Sequence, residues 1–377
     1  MQNHWKGIYG QKSVINVLNK LIENSKIPHA LLFTGSDGVG KEFTAIRFAQ
    51  ALNANFSAPD EAEKANKLIS RFTEPYIKYI TPLPRGRNET ESNGPFEKLS
   101  SEENELYHSQ LSEKIKNPYF KIQIPKANQI KISSIRDINK FLSFNFSDVS
   151  HRIVLISDAH LMNEEAQNAL LKNLEEPPEG VIFILSTQYP NLLRETIRSR
   201  CWSLPFQPLT IEDVKEILIN NFNIDNQLAE EVAGFSGGSV RTALKLLEQE
   251  FEQLRDKTII ILRYSFGRKY HSALSEFQEL VSNNSAETLK LIIQMIITWL
   301  TDVQKYRFES GDYYFSKHIE TLKKFNARFP ELELRDIIFK LDRLATVIHN
   351  NVNINTIMFN IVFELAILTM PKKPQKI

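Results

Sequence analysis

The stretch HALLFTGSDGVGKEFTA, residues 29–45, decides how the rest of the chain is read. A short apolar run suited to a buried strand leads into Gly35, Gly38 and Gly40, and helical spacing then continues from Lys41 to Asn53. Strand, glycine-rich loop and helix, in that order, are the context in which G-x-x-x-x-G-K acts as a phosphate-binding loop. Its backbone N–H groups and the positive end of the following helix cradle phosphates, and the Lys adds a point charge. Gly35, Gly38, Gly40 and Lys41 supply that pattern, but the next residue, which should be a Ser or Thr holding Mg²⁺, is Glu42. A carboxylate about 4 Å from a phosphate charge meets roughly 1 kcal/mol of repulsion in water and several-fold more at lower dielectric.

A second acidic element belongs at the end of a buried strand, where an Asp would hold the metal and a Glu would orient water. The strand pattern HRIVLISD (151–158) puts Ser157 at the metal position and the shorter Asp158 at the water position. Two separate metal contacts are thus altered in one chain. Neither productive ATP hydrolysis nor Mg–ATP binding is expected, and no cofactor is expected to be required.

Working outward, VINVLNKLIEN (14–24), ISSIRDINKFLSF (132–144) and NEEAQNALLKNLEEPP (163–178) have helical spacing, and VIFILST (181–187) reads as another buried strand. The Ser133–Ser134 pair is placed to cap the 132–144 helix. Strands and helices alternating at these lengths predict a mostly parallel sheet covered on both faces. Past residue 207 the strand pattern ends: 210–222, 226–235 and 239–249 read as short helices, and longer amphipathic helices follow from about 268 to 370. The expected domains are 1–206, an α/β domain; 207–263, a three-helix domain; and 264–377, an all-α domain. Residues 84–118 are polar, acid-leaning and glycine-punctuated, and read as an exposed insertion with one helix near 101–116.

Composition sets outer limits. Lys+Arg 46 against Asp+Glu 45 leaves a formal charge of +1, so bulk charge points to no polyanion partner. The single cysteine, Cys201, excludes a disulfide within the chain and a cysteine-based zinc cluster. With no N-terminal apolar signal segment, this favours a cytoplasmic protein with no membrane association. The richest apolar run, LKLIIQMIITWL (289–300), is short for a membrane span and reads as a buried helix. His29 and His160 lack metal-ligand spacing and read as structural, and Trp202 reads as core.

Together, PHALLFTGSDGVGKEFTA, SDAHLMNEEAQNALLKNLEEPP, FILSTQYPNLLRETIRSRC and HNNVNINTIMFNIVFELAI resemble the bacterial DNA polymerase III clamp-loader family, on its delta-prime side rather than its gamma/tau side. The likeness covers roughly 5–57 and 128–250 well, the C-terminal helices more loosely, and 84–118 not at all. It implies an AAA+ P-loop α/β domain with a parallel sheet, a small helical lid and an all-α collar. It also implies a hetero-pentamer with delta and gamma/tau that places a sliding clamp on primer-template DNA. Members of the delta-prime type do not hydrolyse ATP but lend an arginine to the neighbour's nucleotide. In this sequence that arginine matches Arg200 of Ser199-Arg200-Cys201, with Arg194 and Arg198 close by.

The resemblance also marks Thr187 as a strand-end sensor and Arg241 as a lid arginine. With the loop altered, turn capping is the expected role for Thr187, and packing or ion pairing for Arg241. Ser133, Ser134, Arg136 and Lys172 lie on helices that could face DNA phosphates. The four-cysteine zinc module common in relatives is missing, since the matching stretch is ALNANFSAPD. The rivals are an active gamma/tau-like AAA+ ATPase and an AAA+ scaffold outside replication. A polymerase label would reflect the holoenzyme, since nothing in these residues suggests polymerase chemistry.

Overall fold

The structure, a computed structural model, describes residues 4–54, 59–90, 92–143, 148–281, 285–309, 311–348 and 353–370. The chain divides into two compact units: Met1–Asn223 with Gly238–Arg241, and Ile224–Gly237 with Thr242–Ile377.

The first unit runs α1 (Lys12–Glu23), β1 (Ala30–Thr34), α2 (Lys41–Asn53), α3 (Pro59–Ser70), β2 (Ile77–Ile80), α4 (Ser101–Lys116) and α5 (Ile132–Ser143). It continues with β3 (Arg152–Ile156), α6 (Glu164–Glu175), β4 (Val181–Thr187), α7 (Glu195–Arg198), β5 (Trp202–Pro205) and α8 (Ile211–Phe222). The strands form one parallel sheet in the order β2-β3-β4-β1-β5. Because side chains alternate along a strand, each strand feeds two cores. Leu31, Phe33, Ile153, Leu155 and Ile184 pack on the face that holds α1, α2 and α3. Ala30, Leu32, Val154, Ile156 and Leu185 pack on the face that holds α5 and α6. All seven residues of β4 are buried, as a central strand covered on both sides requires. This is the α/β P-loop architecture of the AAA+ class, with a helical region following it.

Several expectations need correction. Ser133 and Ser134 lie buried inside the first turn of α5 rather than ahead of it as caps. Trp202 is not core: it is 52% exposed on β5, an edge strand from which Leu204 points inward. The 84–118 segment is no loose excursion. Its helix begins at a capping box formed by Ser100 and Glu103, and Leu83, Leu99, Tyr107, Ile122 and Ile124 make a small core of their own. The buried Lys131 ammonium pairs with Glu89 at 2.9 Å and donates to the carbonyls of Pro84 and Pro95, which ties the segment's base to the sheet domain.

Among the described residues of the second unit, the regular elements are helices: α9 (Asn226–Phe235), α10 (Val240–Glu248, whose first two residues belong with the first unit), α11 (Phe251–Phe266), α12 (Tyr270–Val281), α13 (Ser285–Arg307), α14 (Ile319–Arg328), α15 (Arg335–Val347) and α16 (Ile354–Leu368). The apolar run at 289–300 is buried within α13, where Trp299 packs against Phe266 and Phe325. Among the described residues no helix is long and apolar enough to cross a membrane.

Candidate nucleotide site and arginine corner

At the end of β1 the chain turns through Gly35, Gly38 and Gly40, all at positive φ, before α2 begins. Gly38 sits at φ 77°, and a Cβ there would come within 2.2 Å of Ser239 Oγ and 2.9 Å of the Arg241 amide nitrogen. The glycine is therefore needed for close approach of the chain to itself. Gly40, at φ 92°, caps α2, and the nearest atoms above its Cα belong to the Tyr119 ring. Lys41 turns back on the loop, its ammonium donating to the carbonyls of Gly35 at 2.8 Å and Ser36 at 2.5 Å.

The two altered metal positions meet each other. Ser157 Oγ donates to Glu42 Oε1, and Tyr79 OH donates to Glu42 Oε2 at 3.3 Å. Carboxylate and hydroxyl have exchanged places between the loop and the strand end. The Lys114 ammonium, from the last turn of α4, lies 2.6 Å from Glu42 Oε2 and is almost wholly buried. Burial alone would raise the Glu42 carboxyl, but Lys114 and the Ser157 hydroxyl more than offset it and hold the group below the ordinary carboxylate range.

A second ammonium completes the cluster. Lys121 Nζ is 2.7 Å from Asp158 and 3.7 Å from Asp37, and Arg241 Nη1 pairs with Asp37. Asp37 is held far below its usual range: burial works against this, and Lys121, Arg241 and Lys41 overcome it. Lys41 is itself shifted down, because burial outweighs the three nearby carboxylates. The cavity left between Asp37, Lys41, Lys114, Tyr119 and Asp158 measures about 40 Å³. That is room for a few waters, against roughly 300–1,000 Å³ in ordinary small-molecule sites.

Thr187, at the tip of β4, accepts from the Tyr189 amide at 3.0 Å and shares a 3.0 Å hydrogen bond with His160 Nδ1, so it closes the turn after the strand. Burial pushes the His160 imidazole below its usual value. Arg200 lies on the corner between α7 and β5, its guanidinium donating to Glu175 Oε1 at 2.8 Å and to the Thr196 carbonyl at 2.9 Å. Arg194 pairs with Glu164 and Asn168, and Arg198 is exposed. Arg136 and Lys172 are exposed on α5 and α6, whereas Ser133 and Ser134 are buried.

Sequence reasoning missed Lys114, Lys121, Tyr79 and Tyr119 as parts of this site. Lys114 and Lys121 are the two ends of KIKNPYFK (114–121), basic and aromatic residues at the end of an otherwise acidic segment, and that local reversal was the available signal.

Residues 10–210 match the family described as DNA polymerase III, delta subunit. The chain belongs to that family. It is thus a clamp-loader AAA+ family member, as the quoted motifs implied. It is 29% identical over 250 residues to DNA polymerase III subunit tau of Bacillus subtilis (strain 168), covering 65% of this chain and 37% of tau. It is 29% identical over 251 residues to subunit gamma of Buchnera aphidicola subsp. Schizaphis graminum, covering 65% of this chain and 57% of gamma. The chain therefore spans less than two thirds of those relatives. Against subunit delta′ of Bacillus subtilis (strain 168) it is 23% identical over 359 residues, covering 94% of this chain and 96% of that one. Among solved structures, a gamma-subunit-related protein of Thermotoga maritima superposes with a TM-score of 0.43 at 16% identity, covering 94% of this chain and 99% of that one.

Proposed function

We propose that this chain is the non-hydrolysing, delta-prime-type subunit of a bacterial clamp loader, working in the cytoplasm beside delta and gamma/tau. Its task is to complete a neighbour's ATP site and to help the assembly set a sliding clamp on primed DNA. The observation that carries this reading is the Ser157–Glu42–Lys114 chain of contacts. The hydroxyl and the carboxylate that would grip Mg²⁺ have changed places, and an ammonium already neutralises the carboxylate. The residues do not fit a magnesium–triphosphate, and no hydrolytic step is assigned to this pocket.

The trans role falls to Arg200. A guanidinium offered across an interface stabilises charge on transferring phosphate oxygens and is worth about 10³–10⁵ in rate where measured. Arg200 stands at the surface two residues from the exposed Trp202, and Trp and Arg are the side chains most enriched in interface hot spots. A second surface supports assembly through the C-terminal unit. One side of α16 buries Ile357, Ile361 and Leu365, yet Phe359, Phe363 and Ile367 remain exposed on the other. A helix apolar on both sides belongs inside a larger structure.

ATP turnover by the purified chain, measured beside turnover of the assembly carrying Arg200→Ala, tests the proposal. No turnover by the chain alone, with a depressed rate in the intact mutant assembly, is expected. Metal-dependent turnover by the isolated chain would instead support the gamma/tau-like reading, which the 29% identity to tau favours.

A further inference from the structure

The polar 84–118 segment and the residues just after it enter the phosphate loop. Residues 114–121 run from the end of α4 across the mouth of the pocket, placing Lys114 on Glu42, Tyr119 over Gly40 and Lys121 on Asp158. Three features show that this path is built rather than incidental. The Lys114 ammonium also donates to the Phe120 carbonyl at 2.8 Å, which fixes the turn. The Gln110 side chain clasps Gln123 twice, donating to its carbonyl at 2.9 Å and accepting from its amide at 2.6 Å. Tyr119 is buried edge-on to Phe43 of α2 and beside Phe222 of α8.

We propose that this segment is the resident ligand of the phosphate loop, so that the pocket has become the docking site of the chain's own insertion. Its two ammoniums take the cation's part against Glu42, Asp158 and Asp37, and the Tyr119 ring covers the loop glycine and the start of α2. The pocket then works as a joint that braces the loop, α2 and α4 in one fixed arrangement. The proposal rests on the reading above that the site does not turn over ATP, and it adds the reason why nucleotide stays out: the space is held covalently in the same chain. A tethered occupant competes at the high effective concentration of an intramolecular partner.

The test uses the full chain and two probes: amide hydrogen exchange of residues 112–124, and binding of Mg-free ATP and of tripolyphosphate. In the natural sequence these amides should exchange at least 100-fold slower than in an unstructured peptide, unchanged by millimolar ATP, with no saturable binding of either anion. Gln110→Ala with Tyr119→Ser removes the clasp and the covering ring but keeps every cation. In that variant exchange should rise at least tenfold, and both anions should bind at least tenfold more tightly because the loop glycines and Lys41 are uncovered. Should the double variant misfold, Gln110→Ala alone gives the same two readouts from a half-buried site. Unprotected exchange in the natural chain overturns the proposal, as does tight ATP binding while the segment stays protected. An unchanged ATPase in the assembly carrying Arg200→Ala would instead end the functional reading, while a protected segment that binds neither anion would leave the docking in place, so the two failures are separable.

Discussion

Replacing Lys114 by Met should expose the electrostatics of the pocket in a way that plain loss of packing cannot. The ammonium is 2% exposed in its side chain and 2.6 Å from Glu42, and Met has nearly the same length with no charge. Removing one partner of a buried ion pair typically costs about 3–5 kcal/mol, because the other charge is left without compensation. Glu42 keeps its hydrogen bonds from Ser157 and Tyr79, so the lower end, about 3 kcal/mol at pH 7.5, is expected. In the natural chain the Glu42 carboxyl is depressed, so its stabilising contribution is present above the unfolded value and is lost as pH falls through the folded one. Without Lys114, burial becomes the leading influence and pushes the carboxyl above its unfolded value, reversing the sign. The stability deficit of Lys114→Met should therefore be largest near neutrality and shrink toward pH 5, as the buried carboxyl takes up a proton. Urea unfolding followed at both pH values gives the answer: with a slope of about 3 kcal/mol/M, the midpoint shift at pH 7.5 is about 1 M. A shift under a third of that, or one equally large at pH 5, would refute the account.

Other expectations follow from the same contacts. On the proposed reading, Arg200→Ala should leave assembly intact and lower the assembly's DNA- and clamp-stimulated ATPase by at least tenfold; an unchanged rate removes its assigned role. Arg307 spans the ends of α13 and α14, donating to Asn326 Oδ1 and to the carbonyls of Phe329 and Leu332. Arg307→Ala should destabilise the C-terminal unit by about 2–4 kcal/mol, visible as a lowered denaturation midpoint, because several acceptors lose their donor at once. Phe359→Glu with Phe363→Glu alters two exposed, stacked rings on α16. Stability of the free chain should change by no more than about 0.5 kcal/mol, as is usual for surface positions, while sedimentation with delta and gamma/tau should show the complex lost. Retention of the complex would show that this stripe is not where the subunits meet.

The elements legible in the sequence were those whose side chains carry a strong period. β1, β3 and β4 are continuous apolar runs because both faces of a central parallel strand are covered, and α2 and α6 carry helical spacing next to glycine or proline punctuation. β2 was not legible: it has only four residues, and its second, Lys78, is a buried ammonium held by Glu74 and Asp137. A buried charge within a strand breaks the apolar run, and only tertiary pairing makes it tolerable. β5 was missed for the opposite reason, since an edge strand ending in Pro205 with Trp202 facing outward buries little. The apolar content of Trp202 suggested core, but on the edge strand β5 the side chain is left exposed.

The pocket marks the limit of local reading more sharply. Glu42 and Ser157 each look like a defect when taken alone, and the sequence shows two defects 115 positions apart. Placed together they form one exchange: the acid and the hydroxyl are both still present, hydrogen-bonded, with their locations swapped. Such an exchange costs little only if something else supplies the positive charge, because a carboxylate at the positive end of α2 is favoured by the helix but penalised by burial. Lys114 and Lys121 meet that requirement from the end of, and just past, a segment whose acidic, polar composition pointed to solvent. The insertion and the altered loop therefore have to be understood as one unit. Restoring Thr at 42 and Asp at 157 while the two lysines remain would place both ammoniums against a rebuilt metal site, and such a chain should still fail to hydrolyse ATP.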